Sequence, residues 1–367
     1  MSAKKLPAEY ARALAVFGAA VAVALAGVGL IVYAKSNPDF LNGAYRDFTV
    51  AAQGFLSRVT SVVPFSIAEI LIYLLSAALL AGIVYGIIRL IKKPGRLRFL
   101  ARAAAVVSLA AAIVFTGFYS LWGLNYQARP LAQSMGLNTE PRGAAELVTL
   151  NEYLAENANR LSVCVERDEE GRVCGFDFGE TAREVAQQVA KTTGHSEAAA
   201  KYVAASVPLS YTEITGMFTF YTGEANVNSN STPESLPFVM AHETAHRNGI
   251  AREDEANFFA FYSLYESDDP LIAYSAYMMA LTYCQNKLYA ANSEEWTRIW
   301  GSYGEELRGD YKAYNEHWRQ YEGKVAEVSQ TVNNTYLQTQ GQQDGVKSYG
   351  RMVDLMLAWA ESEGITK

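Results

Sequence analysis

The chain has 367 residues, half of them hydrophobic, 19% charged, with a formal net charge of −7. An acidic chain whose Lys and Arg clusters flank apolar runs has no electrostatic footprint for nucleic acid. The apolar residues crowd the first third, so a membrane part followed by a globular part fits this length better than one large soluble domain.

Three apolar runs, at about 13–34, 67–91 and 103–122, are each long enough to cross roughly 30 Å of hydrocarbon as a helix. The first exceeds the roughly 7 to 15 apolar residues of a cleaved signal core, which favours a retained anchor over cleavage. The third ends among Tyr119, Trp122 and Tyr126, aromatics suited to a membrane interface. Glu69 lies near the start of the second, at headgroup level or facing the following domain. Lys4, Lys5 and Arg12 precede the first run, and Arg89, Lys92, Lys93, Arg96, Arg98 and Arg102 fill the connection between the second and third. Cytoplasmic loops are enriched in such residues, so the reading is a multi-pass protein of the cytoplasmic membrane, N-terminus inside and C-terminal part outside. The membrane domain then covers 1–123 and an extracytoplasmic domain covers 124–367, with the lipid bilayer a standing partner.

The second domain reads as mainly α-helical (α+β). Helical spacing marks 144–160 and 181–205. Between them Cys164 and Cys174 flank a turn-like Asp168-Glu169-Glu170-Gly171-Arg172, which leaves two readings: a disulfide across a hairpin, or two free thiols. Cys284 sits in a helix-like stretch and reads as core. Residues 216–228, aromatic and β-branched with glycine at the breaks, predict a strand and a turn beside the next motif. Further helices are expected at 271–291, 294–302 and 305–328.

That next motif is His242-Glu243-Thr244-Ala245-His246, entered through the apolar Phe238-Val239-Met240-Ala241. On a helix the histidines stand one turn apart on one face, so both imidazoles can hold one metal ion. Catalytic zinc takes three protein ligands and keeps a fourth position open, and Glu243 is placed as the general base. Gly249 breaks the helix, and an acidic segment opens a new one at about Arg252. Glu253 is the preferred third ligand, with Asn257 one turn on in support; Glu255, about 200° round the helix, is the alternative. The metal site thus spans 242–257.

These segments, with Gly223-Glu224-Ala225-Asn226-Val227-Asn228, Leu236-Pro237-Phe238, Trp122-Gly123-Leu124-Asn125-Tyr126, Asn334-Thr335-Tyr336-Leu337 and Gly345-Val346-Lys347-Ser348-Tyr349, resemble the DUF3810 family of bacterial membrane proteins. The likeness implies a membrane-anchored, gluzincin-like (zincin-like) domain, in which Glu253 of Glu-x-x-x-Asn is the ligand. The gap after His246 is shorter than in many gluzincin metallopeptidases.

Tyr336 and Tyr349 are candidates to hydrogen-bond an oxyanion beside the metal. His195 and His317 sit in polar, helix-like surroundings and read as surface or satisfied histidines, His317 being the one with a possible electrophilic role. The expected function is a membrane-anchored hydrolase with Zn2+ as cofactor, a metallopeptidase acting on peptide or protein. The competing class is a non-catalytic sensor or assembly protein that retains a metal site. Glu243 favours the first, because a structural site has no use for a base beside an open coordination position.

Overall fold

The computed structural model describes residues 8–342 and 349–366. The chain is mostly helical and forms two compact units, one of residues 1–49 with 67–124, the other of 50–66 with 125–367.

In the first unit, helices Ala8–Ser36, Ile67–Lys92 and Arg96–Leu121 are long and apolar enough to cross a membrane. Their surfaces expose Leu25, Leu75 and Val107 rather than burying them, as expected for helices whose solvent is lipid. The first and third pack together, with the Thr116 hydroxyl donating to the Val23 carbonyl at 2.9 Å.

The second unit is built on one apolar core. Helices Ala144–Ser162 and Pro270–Ala291 pack against each other, and helices Leu236–Arg247, Glu253–Leu264 and Tyr349–Ser362 close around them. Phe258, Phe261, Met278, Leu281 and Trp359 are buried in this core. Each large side chain so removed from water stabilises the fold by roughly 1.5–3 kcal/mol. A three-stranded sheet lies at one side, in the order β1 (Lys201–Tyr202), β3 (Glu224–Val227), β2 (Gly216–Thr219). β1 runs parallel to β3, and β2 antiparallel to it, with Met217 opposite Asn226. Asn226 Nδ2 donates to Thr219 Oγ1 at 3.0 Å, and Asn228 Nδ2 to the Ile214 carbonyl and Ser210 hydroxyl, also at 3.0 Å, so these two amides lock the hairpin.

Three elements differ from the sequence reading. The helix expected over 181–205 is Phe178–Thr193: Asp177 caps its start by accepting from the Glu180 N–H at 2.8 Å, Gly194 ends it, and Lys201-Tyr202 is drawn into pairing with β3. The expected 305–328 helix is two, Glu305–Arg319 and Lys324–Thr339, broken around Gly323. Between the first two apolar helices lies an unanticipated helix, Arg46–Thr60. Cys164 and Cys174 flank the expected turn, where Arg167 bridges to Val173, and both are free thiols.

Candidate metal centre

Leu236–Arg247 starts with Pro237 in its first turn, where the ring's fixed φ suits a helix and the missing N–H costs nothing. It ends at Gly249, whose φ of 79° lies in the left-handed region. The turn there is closed by the Ile250 N–H donating to the Ala245 carbonyl at 3.2 Å, a pattern that favours glycine. This reversal has a chemical consequence. It brings the Ile250 carbonyl within 2.7 Å of His246 Nδ1, so that nitrogen donates and the ring's lone pair is on Nε2, facing His242.

The chain then re-enters a helix, Glu253–Leu264, with Glu253 in its first turn, where the helix dipole favours a carboxylate. Its carboxylate reaches both imidazoles: Oε2 is 3.3 Å from His242 Nε2 and Oε1 is 3.6 Å from His246 Nε2. The two Nε2 atoms are 3.1 Å apart. Among the described residues this is the one group of three His, Cys, Asp or Glu side chains arranged to hold a metal ion. Zinc bonds of about 2.0–2.1 Å at tetrahedral angles place neighbouring ligand atoms about 3.3 Å apart. Edges of 3.1, 3.3 and 3.6 Å therefore fit an ion of that size, with a fourth position left open.

Two of the three charge states suit a metal donor set as they stand, and the third group, His242, would give up a proton to an ion. Burial pushes His246 down to about 4, which keeps it neutral. Burial also pulls on His242, but the hydrogen bond and charge of Glu253, together with Glu243, outweigh it and hold the ring above its ordinary value. Burial acts to raise Glu253, yet the two histidines win and keep it below the usual carboxylate range. Asn257 lies beside His242 and favours its charged form, while Tyr283 stands 3.4 Å from the Asn257 carbonyl oxygen.

Glu243 is buried beside the cluster, and burial pushes it up to about 8. Its carboxylate lies against β2, where the Phe218 backbone interacts with it. A side chain at Gly216 would put Cβ 2.5 Å from Glu243 Oε1, so this glycine makes room for the carboxylate. Glu243 Oε2 is buried with no hydrogen-bond partner. A carboxyl held above its normal range and left partly unsatisfied is suited to taking up a proton near neutrality.

The other candidates fall elsewhere. Glu255 turns away: its Oε1 takes Arg252 Nη1 at 2.8 Å and the Leu131 N–H at 2.9 Å. Arg252 also donates to the Tyr126 and Ala128 carbonyls at 3.3 and 2.5 Å, so Arg252 and Glu255 anchor the 126–131 stretch. Tyr336 is half-exposed and reaches the site's edge through Tyr126, hydroxyl to hydroxyl at 3.4 Å. Tyr349 opens the last helix, and its side chain lies outside the described residues. His317 packs against Trp318 and Tyr321, His195 lies in the loop after Gly194, and Glu69 accepts from Tyr73 one turn along its own helix.

The residue the sequence reading missed is Tyr126. Read there as an interface aromatic, it is buried, and burial with the charges of Tyr336 and Glu253 raises its phenol well above 10. It is therefore a neutral donor close to Glu253. Its only sequence signal was its place in the Trp122-Gly123-Leu124-Asn125-Tyr126 segment, just past the third apolar helix.

A family model described as "Protein of unknown function (DUF3810)" matches residues 45–357. The chain belongs to the DUF3810 family. That match takes in the histidine helix, Glu253, Tyr126 and the hairpin alike. No curated protein and no solved structure matches the chain.

Proposed function

We propose that this DUF3810 member is a membrane-anchored, zinc-dependent hydrolase, a metallopeptidase with a zincin-like domain on the outer face of the cytoplasmic membrane. The observation that carries the reading is the triangle of His242, His246 and Glu253, with edges of 3.1 to 3.6 Å, beside a buried carboxyl at Glu243. Basic residues before the first apolar helix and between the second and third support the outward placement of the site.

His242, His246 and Glu253 would hold the ion, which when bound would supply Lewis acidity. Glu243 takes a proton from the attacking water and passes it to the departing amine, a two-way transfer that a carboxyl poised at about 8 performs near neutral pH. The Tyr126 hydroxyl, neutral throughout that range, donates to the oxygen on which charge develops. In the resting structure that hydroxyl donates to Tyr336 at 3.4 Å, so it turns from Tyr336 to reach the developing oxyanion. β2 is an end strand of the sheet among the described residues, so an extended peptide can lie alongside it, next to Glu243.

The test uses the full-length chain purified in lipid: bound metal is measured, and cleavage of a peptide library is compared between wild type and Glu243→Gln. Zinc at one ion per chain with cleavage abolished in the variant supports the reading. A wild type that binds no zinc sinks the metal assignment, and equal turnover by the two proteins sinks the role of Glu243. Bound zinc without cleavage by either protein favours the sensor or assembly class.

A further inference from the structure

Helix Arg46–Thr60 is amphipathic in the reverse sense of a soluble helix, which turns its apolar stripe towards the core. At 100° per residue, Phe48, Ala51, Phe55 and Val59 fall within a sector of about 80°, and Thr49, Gln53, Ser57 and Thr60 fall on the other side. The polar side is the buried one. Gln53 Nε2 donates to the Phe220 carbonyl at 3.0 Å, Thr60 Oγ1 to the Thr222 carbonyl at 3.3 Å, and the Ser57 and Ser196 hydroxyls lie 3.3 Å apart. Lys201 Nζ fastens the helix end, donating to the Thr60 and Phe65 carbonyls at 2.6 and 3.2 Å. The apolar side is bare: Phe55 is 61% exposed and Val59 51%, and the stripe continues into Val62 at 80% and Phe65 at 44%.

Chain connectivity says what covers it. The helix is joined to the second apolar helix by residues 61–66 alone, a link of at most about 20 Å, and a short helical segment joins it to the first. Both neighbours are long and apolar enough to cross a bilayer. Three crossings also put residues 37–66 and everything after 121 on one side, in keeping with a unit that contains both 50–66 and 125–367. Arg58 is exposed at the edge of the apolar sector, where a lipid phosphate would meet it.

We propose that helix Arg46–Thr60 lies in the membrane interface, with Phe48, Phe55, Val59, Val62 and Phe65 in the acyl boundary of the leaflet on the site's side. The bilayer is then the partner of this face. The β2–β3 turn, bonded to the helix through Phe220 and Thr222, is held at the lipid surface, and with it the strand that flanks Glu243. Nothing in this depends on the chain being a hydrolase.

The experiment places the photo-crosslinker benzoylphenylalanine singly at Phe55, Val59 or Val62 of the full-length chain in liposomes of phosphatidylethanolamine and phosphatidylglycerol. Val163, 64% exposed at the end of helix Ala144–Ser162, is the control position. Illumination is expected to give peptide–phospholipid adducts at the three positions, about tenfold more than at Val163. Crosslinks between two copies of the chain overturn the proposal in favour of self-association, and adducts no more frequent than at Val163 overturn it outright. Hydroxyl-radical labelling of the unsubstituted chain in the same liposomes guards against a substituted protein that misfolds. There Phe55 and Phe65 are expected to be protected while Tyr289, 59% exposed, reacts; equal labelling overturns the proposal.

Discussion

Two buried charged groups flank the same small sheet and are treated in opposite ways. Lys201 is saturated: its three ammonium protons meet Glu224 Oε1 at 2.7 Å and the Thr60 and Phe65 carbonyls. At the metal centre, by contrast, three would-be ligands converge within 4.8 Å of one another, and Glu243 Oε2 has no hydrogen-bond partner. A buried charge that serves architecture is paired and fully hydrogen-bonded, because an orphan polar group away from water costs about 1–3 kcal/mol or more. A site kept for a ligand carries that cost until the ligand arrives. The contrast holds between these two places; Glu234 Oε1, Asp254 Oδ1 and Arg247 Nη1 are also buried without a partner, so it is the convergence of three ligand types, and not an orphan atom alone, that marks the site.

The largest test of it is Glu243→Gln. The amide keeps the volume and cannot shuttle a proton, so peptide cleavage is expected to fall by about 10³-fold while bound metal stays at the wild-type level. Loss of metal together with activity would make Glu243 part of the binding set instead. Next comes Lys201→Met, which removes the ammonium that faces the buried Glu224 carboxylate and is expected to cost about 3 kcal/mol in unfolding free energy. Chemical denaturation measures it, and Glu253→Met in the metal-free chain should cost far less. A smaller cost at Lys201 than at Glu253 would reverse the comparison.

A third effect is in pH. Glu243 is raised from the ordinary carboxyl range to about 8 and Glu234 to about 7, both by burial. A raised carboxyl favours the fold fully below its unfolded value near 4.5 and loses that contribution as pH climbs to the folded value. Through these two carboxyls the metal-free chain is therefore expected to lose stability as pH rises from 5 to 8, opposed below about 6.5 by the depressed His246, and Glu243→Gln to flatten part of that slope. Denaturation midpoints across the range, in chelator, check the sign.

How much of this was legible beforehand depended on sequence distance. The candidate ligands fall within twelve residues, and the features joining them are local: an i, i+4 histidine pair, a left-handed glycine and an acidic helix start. The apolar spans were legible because lipid imposes one length on them. Tyr126 was not, because its partner Tyr336 is 210 positions away. Gly216 was not, because its need to be glycine arises from a carboxylate on another element. Helix Arg46–Thr60 escaped because its stripe is inverted, so its apolar periodicity points away from the core it packs on.

The smallest expected effect tests the residue that distance concealed. Tyr126→Phe removes one hydroxyl, keeps the ring packed edge-on to Tyr336, and leaves the Arg252 contact to the backbone carbonyl in place. If the hydroxyl donates to the developing oxyanion, kcat should fall about tenfold with KM little changed, since one hydrogen bond made in the transition state is worth about 1–1.5 kcal/mol. Tyr336→Phe, one step further out, should show a smaller loss of the same kind. If Tyr126→Phe instead raises KM alone, or Tyr336→Phe exceeds it, then the outer phenol is the donor and Tyr126 only supports it. In that case the buried, saturated side of the comparison would extend one residue further into the site.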